Sequence, residues 1–336
     1  MTDLANCWKL PTKRVATARI DGFTERLNSI INGFFISELF RIKFYFSWNS
    51  TNKRVVGSDF HNVSITIPKI FNKSILEKHY IPFEKWHELN DDNKSPANCE
   101  TISGENVVHL SHKLKIGNSI PCVSNFITID YAETISKVLD PFYLKLQRDF
   151  KDLKDYTAIH YRGGDIIYGF FKGSEIAAQG TKSATLSEIE YIINERPKDK
   201  FIIFGSVSKE TIKDLTYIKK KFFNSYLAVD LFKHTGHPVL VDCIAMSVCK
   251  AVIGQPTSGV VRLAMKLNYY LKVYSFESII SEGKRHSLFL SGLSNPDYNY
   301  HQRIYHGIRA LTTPEADEEF ISKIINHLKA KQNNSN

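Results

Sequence analysis

Cysteine is scarce and unpatterned in this chain of 336 residues. Cys7, Cys99, Cys122, Cys243 and Cys249 are odd in number and irregular in spacing, and no C-x-x-C occurs. Such a set argues against a disulfide framework and a cysteine zinc site, and reads as reduced thiols of a cytosolic protein. No apolar run approaches the roughly 20 residues that span a bilayer. The first residues, Met1 to Lys9, hold no apolar stretch of signal-peptide type, so a secretory leader is not expected. There is no Asp-x-Asp to hold a diphosphate through a divalent metal, and no Cys/His cluster with zinc spacing. The absence of G-x-G-x-x-G and of G-x-x-x-x-G-K-[ST] argues against dinucleotide-fingerprint and P-loop chemistry, and no Gly-x-Ser-x-Gly elbow suggests a hydrolase. Neither a metal nor a bound cofactor is expected.

What is present is an ordinary globular composition with a basic balance. Apolar residues make up 43% and charged residues 24%, enough to build a core in each of two domains. The formal net charge of +9 fits an anionic partner, which could be a nucleotide, a nucleic acid, an acidic glycan or an anionic membrane surface. Charge alone does not choose among them. The expected location is the cytoplasm, with peripheral attachment to the inner face of its membrane through the basic surface.

The pattern of elements is more selective. Val15–Ile20 reads as a strand, and Asp21-Gly22-Phe23 as a turn. Thr24 caps a helix with Leu27, Ile30, Ile31, Phe34, Phe35 and Leu39 at helical spacing, and Ile42–Trp48 is a second strand. This is a βαβ unit and implies a parallel sheet. Residues 50–130 resist ordering, with short apolar runs near Val63–Ile67 and Val107–Leu110. Residues 131–153 read as helical with a break at Asp140-Pro141. From Tyr156 strands and helices alternate as far as Leu271–Ser275, which predicts a doubly wound parallel sheet. Residues 276–312 read as irregular, and Glu315–Lys331 as a final amphipathic helix. The division is 1–153, an acceptor-side α/β domain; 154–312, a nucleotide-binding domain; and 313–336, a helix and tail.

Three clusters carry chemistry. In His160-Tyr161-Arg162-Gly163-Gly164-Asp165, a strand ends in a glycine turn that lets backbone approach a ligand, and Arg162 offers a fixed fork of donors to a phosphate. His160 either holds the turn or adds a contact, and Asp165 either orients Arg162 or caps the loop. In Gly254-Gln255-Pro256-Thr257-Ser258-Gly259-Val260-Val261-Arg262, Thr257 and Ser258 open a helix, where free N–H groups bind anions. Arg262, one turn on, either reaches the same phosphate or pairs with a carboxylate. Asp242 interrupts an apolar helix and needs a partner, either protein N–H groups or the donor edge of a guanine. In Asp21-Gly22-Phe23-Thr24-Glu25-Arg26, Asp21 and Glu25 are candidate general bases, or complements to a helix dipole.

These three segments, in this order, resemble the GDP-fucose-dependent fucosyltransferase superfamily of α1,2-, α1,6- and protein-O-fucosyl type, including bacterial polysaccharide enzymes. Residues 21–27 are similar to its first glycine loop, 160–165 to its His-x-Arg-Arg-x-Asp motif, and 242–267 to its third motif. The resemblance implies a GT-B fold of two Rossmann-like domains across a cleft. It implies inverting, metal-independent transfer from GDP-fucose to a hydroxyl of a cell-surface glycan. Arg162 would then hold the β-phosphate, Asp242 the guanine, and Thr257 and Ser258 the diphosphate, with Asp21 as base and Glu25 behind it. The departure is Gly163, where many relatives carry a second arginine; Arg262 or Lys172 could substitute for it. The same fold with another sugar-nucleotide donor is one alternative. A non-catalytic polyanion binder using the aromatic-basic segment 298–309 is another, although no nucleic-acid partner is expected.

Overall fold

The computed structural model describes residues 14–17, 23–41, 43–48, 69–82, 85, 119–121, 131–163, 167, 183–205, 209–232 and 235–314. The amino-terminal unit is a parallel three-stranded sheet of β1 (Arg14–Thr17), β2 (Lys43–Phe46) and β3 (Ser119–Pro121), in the order β2-β1-β3. The predicted crossover is α1 (Phe23–Phe40), which buries Leu27, Ile30, Ile31 and Phe34. A short helix, α2 (Lys73–His79), is started by Asn72 and was not expected in the 50–130 region. The runs at 63–67 and 107–110 lie outside the described residues. The break at Asp140-Pro141 is real. It separates α3 (Tyr131–Val138) from α4 (Pro141–Asp149), with the Asp140 carboxylate accepting the Phe142 N–H and proline in the first turn.

The second unit is a five-stranded parallel sheet of β4 (Tyr156–Tyr161), β5 (Lys200–Gly205), β6 (Ser225–Leu227), β7 (Ala251–Ile253) and β8 (Val273–Tyr274), ordered β6-β5-β4-β7-β8. Connections run outward from β4 to β5 and β6, then return to β7 and β8. The order therefore reverses between β4 and β7, and in such sheets ligands bind at the carboxyl ends of the strands at that reversal. The central strands are buried and largely apolar, as in Phe201–Phe204 and Ala251–Ile253, because helices cover both faces. Alternation sends Ile159, Ile203 and Ile253 to one face, against α5 (Leu186–Glu195) and α6 (Lys209–Lys221). It sends Ala158, Ile202, Phe204 and Val252 to the other, against α8 (Pro238–Val248) and α9 (Gly259–Leu267), with the short α7 (Ala228–Leu231) beside them. Burying each large side chain contributes roughly 1.5–3 kcal/mol. A cap such as the Thr185–Glu188 box at α5 contributes about 1 kcal/mol. Packing thus fixes these elements and the caps only trim them.

Residues 276–312 are not irregular, contrary to expectation. They form α10 (Phe276–Ile279), α11 (Glu282–Ser294) and α12 (Tyr300–Ala310). α11 buries only Phe289 and Gly292, and α12 buries Gln302, His306 and Arg309 alongside Ile304, Tyr305 and Ala310, so polar residues interrupt the hydrophobic period that marks a helix. The helix predicted at 315–331 lies outside the described residues.

A third core cluster joins the two units. Leu27, Ile30 and Ile31 of α1 pack with Leu240, Val241 and Ile244 of α8 and Leu263 of α9.

Candidate functional site

Two glycines bring the strand ends together. A β-carbon on Gly254, just past β7, would lie 2.9 Å from that of His160, so only glycine lets β7 approach the end of β4 this closely. A β-carbon on Gly163 would lie 2.5 Å from Thr211 Oγ1 and 2.8 Å from its Cγ2. The position where the resemblance expects a second arginine is therefore closed by a buried threonine at the start of α6.

His160 is buried, and burial together with the Arg162 charge lowers its pKa to about 4. It is neutral near pH 7, so of these two side chains Arg162 alone contributes positive charge. Arg162 is half-buried just past the strand. Behind it, Tyr161 turns to the opposite face. Its hydroxyl donates to Asp214 Oδ2 at 2.9 Å and accepts from Gln302 Nε2 at 2.6 Å, and Asn299 Nδ2 donates to Asp214 Oδ1 at 3.2 Å. Asp214 and Gln302 were not foreseen as supports of this strand end, since neither is near it in sequence.

Three helix amino termini meet beside these strand ends. The Phe23 ring, opening α1, stacks on His237 at 3.9 Å between centroids; His237 is the residue before α8. Gly259, opening α9, faces the first turn of α1 so closely that a β-carbon there would lie 2.5 Å from both Thr24 Oγ1 and Glu25 Oε1. Neither α8 nor α9 has a side-chain cap: Ser258 stands at the cap position of α9 but its hydroxyl makes no capping bond. Ser258 is buried and Thr257 exposed. The first-turn N–H groups and the positive dipole ends thus converge on one region.

The two lobes are also joined by charge. Arg262 of α9 forms an ion pair with Glu25 of α1, whose side chains are 12% and 20% exposed. Both were singled out from sequence as separate donor-binding and catalytic groups, and the structure joins them to each other. One turn deeper, buried Lys266 donates to Asn32 Oδ1 at 2.9 Å, and Asn28 Nδ2 donates to the Gly259 carbonyl at 3.4 Å. Burial and the Arg262 charge hold the Lys266 pKa well below the lysine range, against an opposing pull from Glu25. Nothing in the sequence pointed to Lys266, which reads there as one more helix-surface lysine.

Asp242 lies one turn into α8 and is partly buried, and burial raises its carboxyl pKa to about 7. Asp21, Gly164, Asp165 and Lys172 lie outside the described residues.

α1 follows the carboxyl end of β1, and α9 follows the carboxyl end of β7. Because the starts of α1 and α9 touch, the carboxyl ends of the two sheets face each other. Two parallel α/β units so opposed define the GT-B architecture, with Arg162 and the uncapped starts of α8 and α9 at the facing ends.

No family model and no curated protein matches the chain. Among solved structures, the chain is similar to fucosyltransferase NodZ from Bradyrhizobium, with 15% identity over 76% of this chain and 93% of that one at a TM-score of 0.44. NodZ α-1,6-fucosyltransferase co-crystallised with GDP gives 15% identity, 76% and 93% coverage and a TM-score of 0.45. POFUT1 in complex with GDP-fucose gives 8%, 79%, 98% and 0.42.

Proposed function

We propose that this protein is an inverting, metal-independent glycosyltransferase that moves fucose from GDP-fucose to a hydroxyl of a cell-surface glycan. The observation that carries the reading is Arg162 at the strand-order reversal, beside the uncapped start of α9. As the bond from the anomeric carbon to the β-phosphate oxygen breaks, its electrons leave with GDP. The new charge falls where a fixed guanidinium and free N–H groups can meet it. The acceptor hydroxyl loses its proton to a carboxylate of the first loop, Asp21 in this reading, and attacks the anomeric carbon from the face opposite GDP. Asp242 accepts the N1–H and the 2-amino group of guanine. Thr257, Ser258 and the loop residues Gly164 and Asp165 complete the donor contacts. His160, being neutral, supports the turn.

Thermal denaturation tests the donor class. GDP and GDP-fucose at about 100 times Kd should each stabilise the protein by about 2.7 kcal/mol, with EDTA present, while UDP and CMP should not. Stabilisation by UDP instead of GDP would overturn the donor assignment, and turnover that strictly needs a metal would overturn the mechanism.

Asp242 adds a pH dependence. Its carboxyl titrates near 7 in the free protein and must be ionised to accept from guanine. Below pH 7 binding has to expel that proton, so GDP-fucose affinity should fall toward tenfold per pH unit between 7 and 5.5 and level off above 8. GDP-fucose suits calorimetry here because it lacks the terminal phosphate of GDP. Asp242→Asn should bind more weakly with no slope; a slope that survives in this variant assigns it elsewhere.

A further inference from the structure

The end of the five-stranded sheet that faces away from the candidate site has a character of its own. In a parallel sheet every segment leading into a strand lies at that end. The segments 151–155, 196–200, 219–224, 249–250 and 268–272 together hold ten Lys and Arg against three Asp. The register draws them into a row. Tyr156 pairs with Lys200, the Lys250 N–H donates to the Tyr156 carbonyl at 2.9 Å, and the Phe201 N–H donates to the Asn224 carbonyl at 2.9 Å. Lys219, Lys221 and Lys250 are paired with Asp230, Glu190 and Asp199. Lys198, Lys220 and Lys272 are exposed and outside these pairs. At the β6 edge Phe223 stands 92% exposed, and at the β8 edge Tyr270 stands 85% exposed. Five strands at about 4.8 Å set these aromatics roughly 19 Å apart, with the lysines between them.

We infer that this basic, aromatic-rimmed end docks the protein on an anionic lipid bilayer. Lysines at such a surface are attracted by acidic headgroups, and aromatic side chains settle at the headgroup level. Two nearly bare aromatic rings at the rims have no role in a packed fold, and they suit shallow insertion on either side of a charged strip. A single-stranded nucleic acid site instead places its aromatics along a basic groove so that successive bases stack. Docked this way, the facing sheet ends point away from the lipid, toward the outer part of a glycan. The inference uses none of the donor-site residues and stands whether or not the donor assignment holds.

The test is cosedimentation of the full chain with vesicles of 70% phosphatidylcholine and 30% phosphatidylglycerol, and with vesicles of phosphatidylcholine alone. Binding should be confined to the anionic vesicles and weaken as salt rises. Lys198→Gln, Lys220→Gln and Lys272→Gln should each cost about fivefold in partition, and together roughly a hundredfold. Phe223→Ser with Tyr270→Ser should reduce binding in high salt, where insertion dominates. All five positions are exposed, so an unchanged denaturation midpoint and unchanged GDP binding accompany the loss. Absence of vesicle binding, binding that the triple substitution leaves intact, or displacement from vesicles by a short single-stranded oligonucleotide would each overturn the proposal.

Discussion

Replacing Arg162 with alanine should lower kcat by 100- to 1000-fold, the loss of about 2.7–4 kcal/mol that follows removal of one fixed donor from a developing anion. The expectation is this large because, among the described residues at the strand end, little else carries charge. His160 beside it is neutral near pH 7. Position 163, where a second arginine could share the load, is a glycine closed in by Thr211. The first-turn N–H groups of α9 remain in the variant and set a floor to the loss. Arg162→Lys should recover only part of the rate, since an ammonium is a point charge without the planar fork. Initial rates of GDP release, with the denaturation midpoint recorded alongside, separate lost chemistry from lost fold. Turnover within threefold of the parent protein would remove Arg162 from the reaction.

Arg262→Ala should lower stability by about 3 kcal/mol, because it leaves Glu25 mostly enclosed between α1 and α9 without its counter-charge. Glu25→Ala should be comparably harmful, since it removes the carboxylate whose charge opposes that of Arg262 at buried Lys266. The double variant should lose less than the sum of the single losses, by 1–3 kcal/mol, as neighbours in one network do. Denaturant titration of the four proteins measures this coupling. An arginine whose sole task is to bind donor would cost affinity and leave stability untouched. Equal denaturation midpoints for Arg262→Ala and the parent protein would therefore refute the clasp.

The sequence disclosed most of the second unit and little of the first. Buried parallel strands such as Phe201–Phe204 are continuous apolar runs, and Thr185, Asp140 and Pro238 mark helix starts by short-range chemistry. α11 and α12 escaped because they pack through a polar interior, in which His306 lies against Gly292 and Arg309 against the Ser183 carbonyl. Hydrophobic period does not register such helices. Of the site, Arg162 and the start of α9 were visible because glycines and hydroxyls at strand ends have few purely structural uses. The Glu25–Arg262 pair was half visible: a carboxylate partner was one of the two readings of Arg262, but its members lie more than 230 positions apart, so Glu25 could not be named as that partner. The Phe23–His237 stack was hidden for the same reason.

The Tyr161–Asp214–Gln302 cluster bears on where the second unit ends. The last strand finishes at Tyr274, yet the residue next to Arg162 is anchored from Gln302, on the final described helix. Buried Asp214 accepts from Gln302 Nε2 as well as from the Tyr161 hydroxyl, so that helix supplies part of what satisfies it. The sheet is therefore an unfinished scaffold without its carboxyl-terminal helices: a chain stopping after β8 would keep every strand and lose the strut behind Tyr161, the neighbour of Arg162.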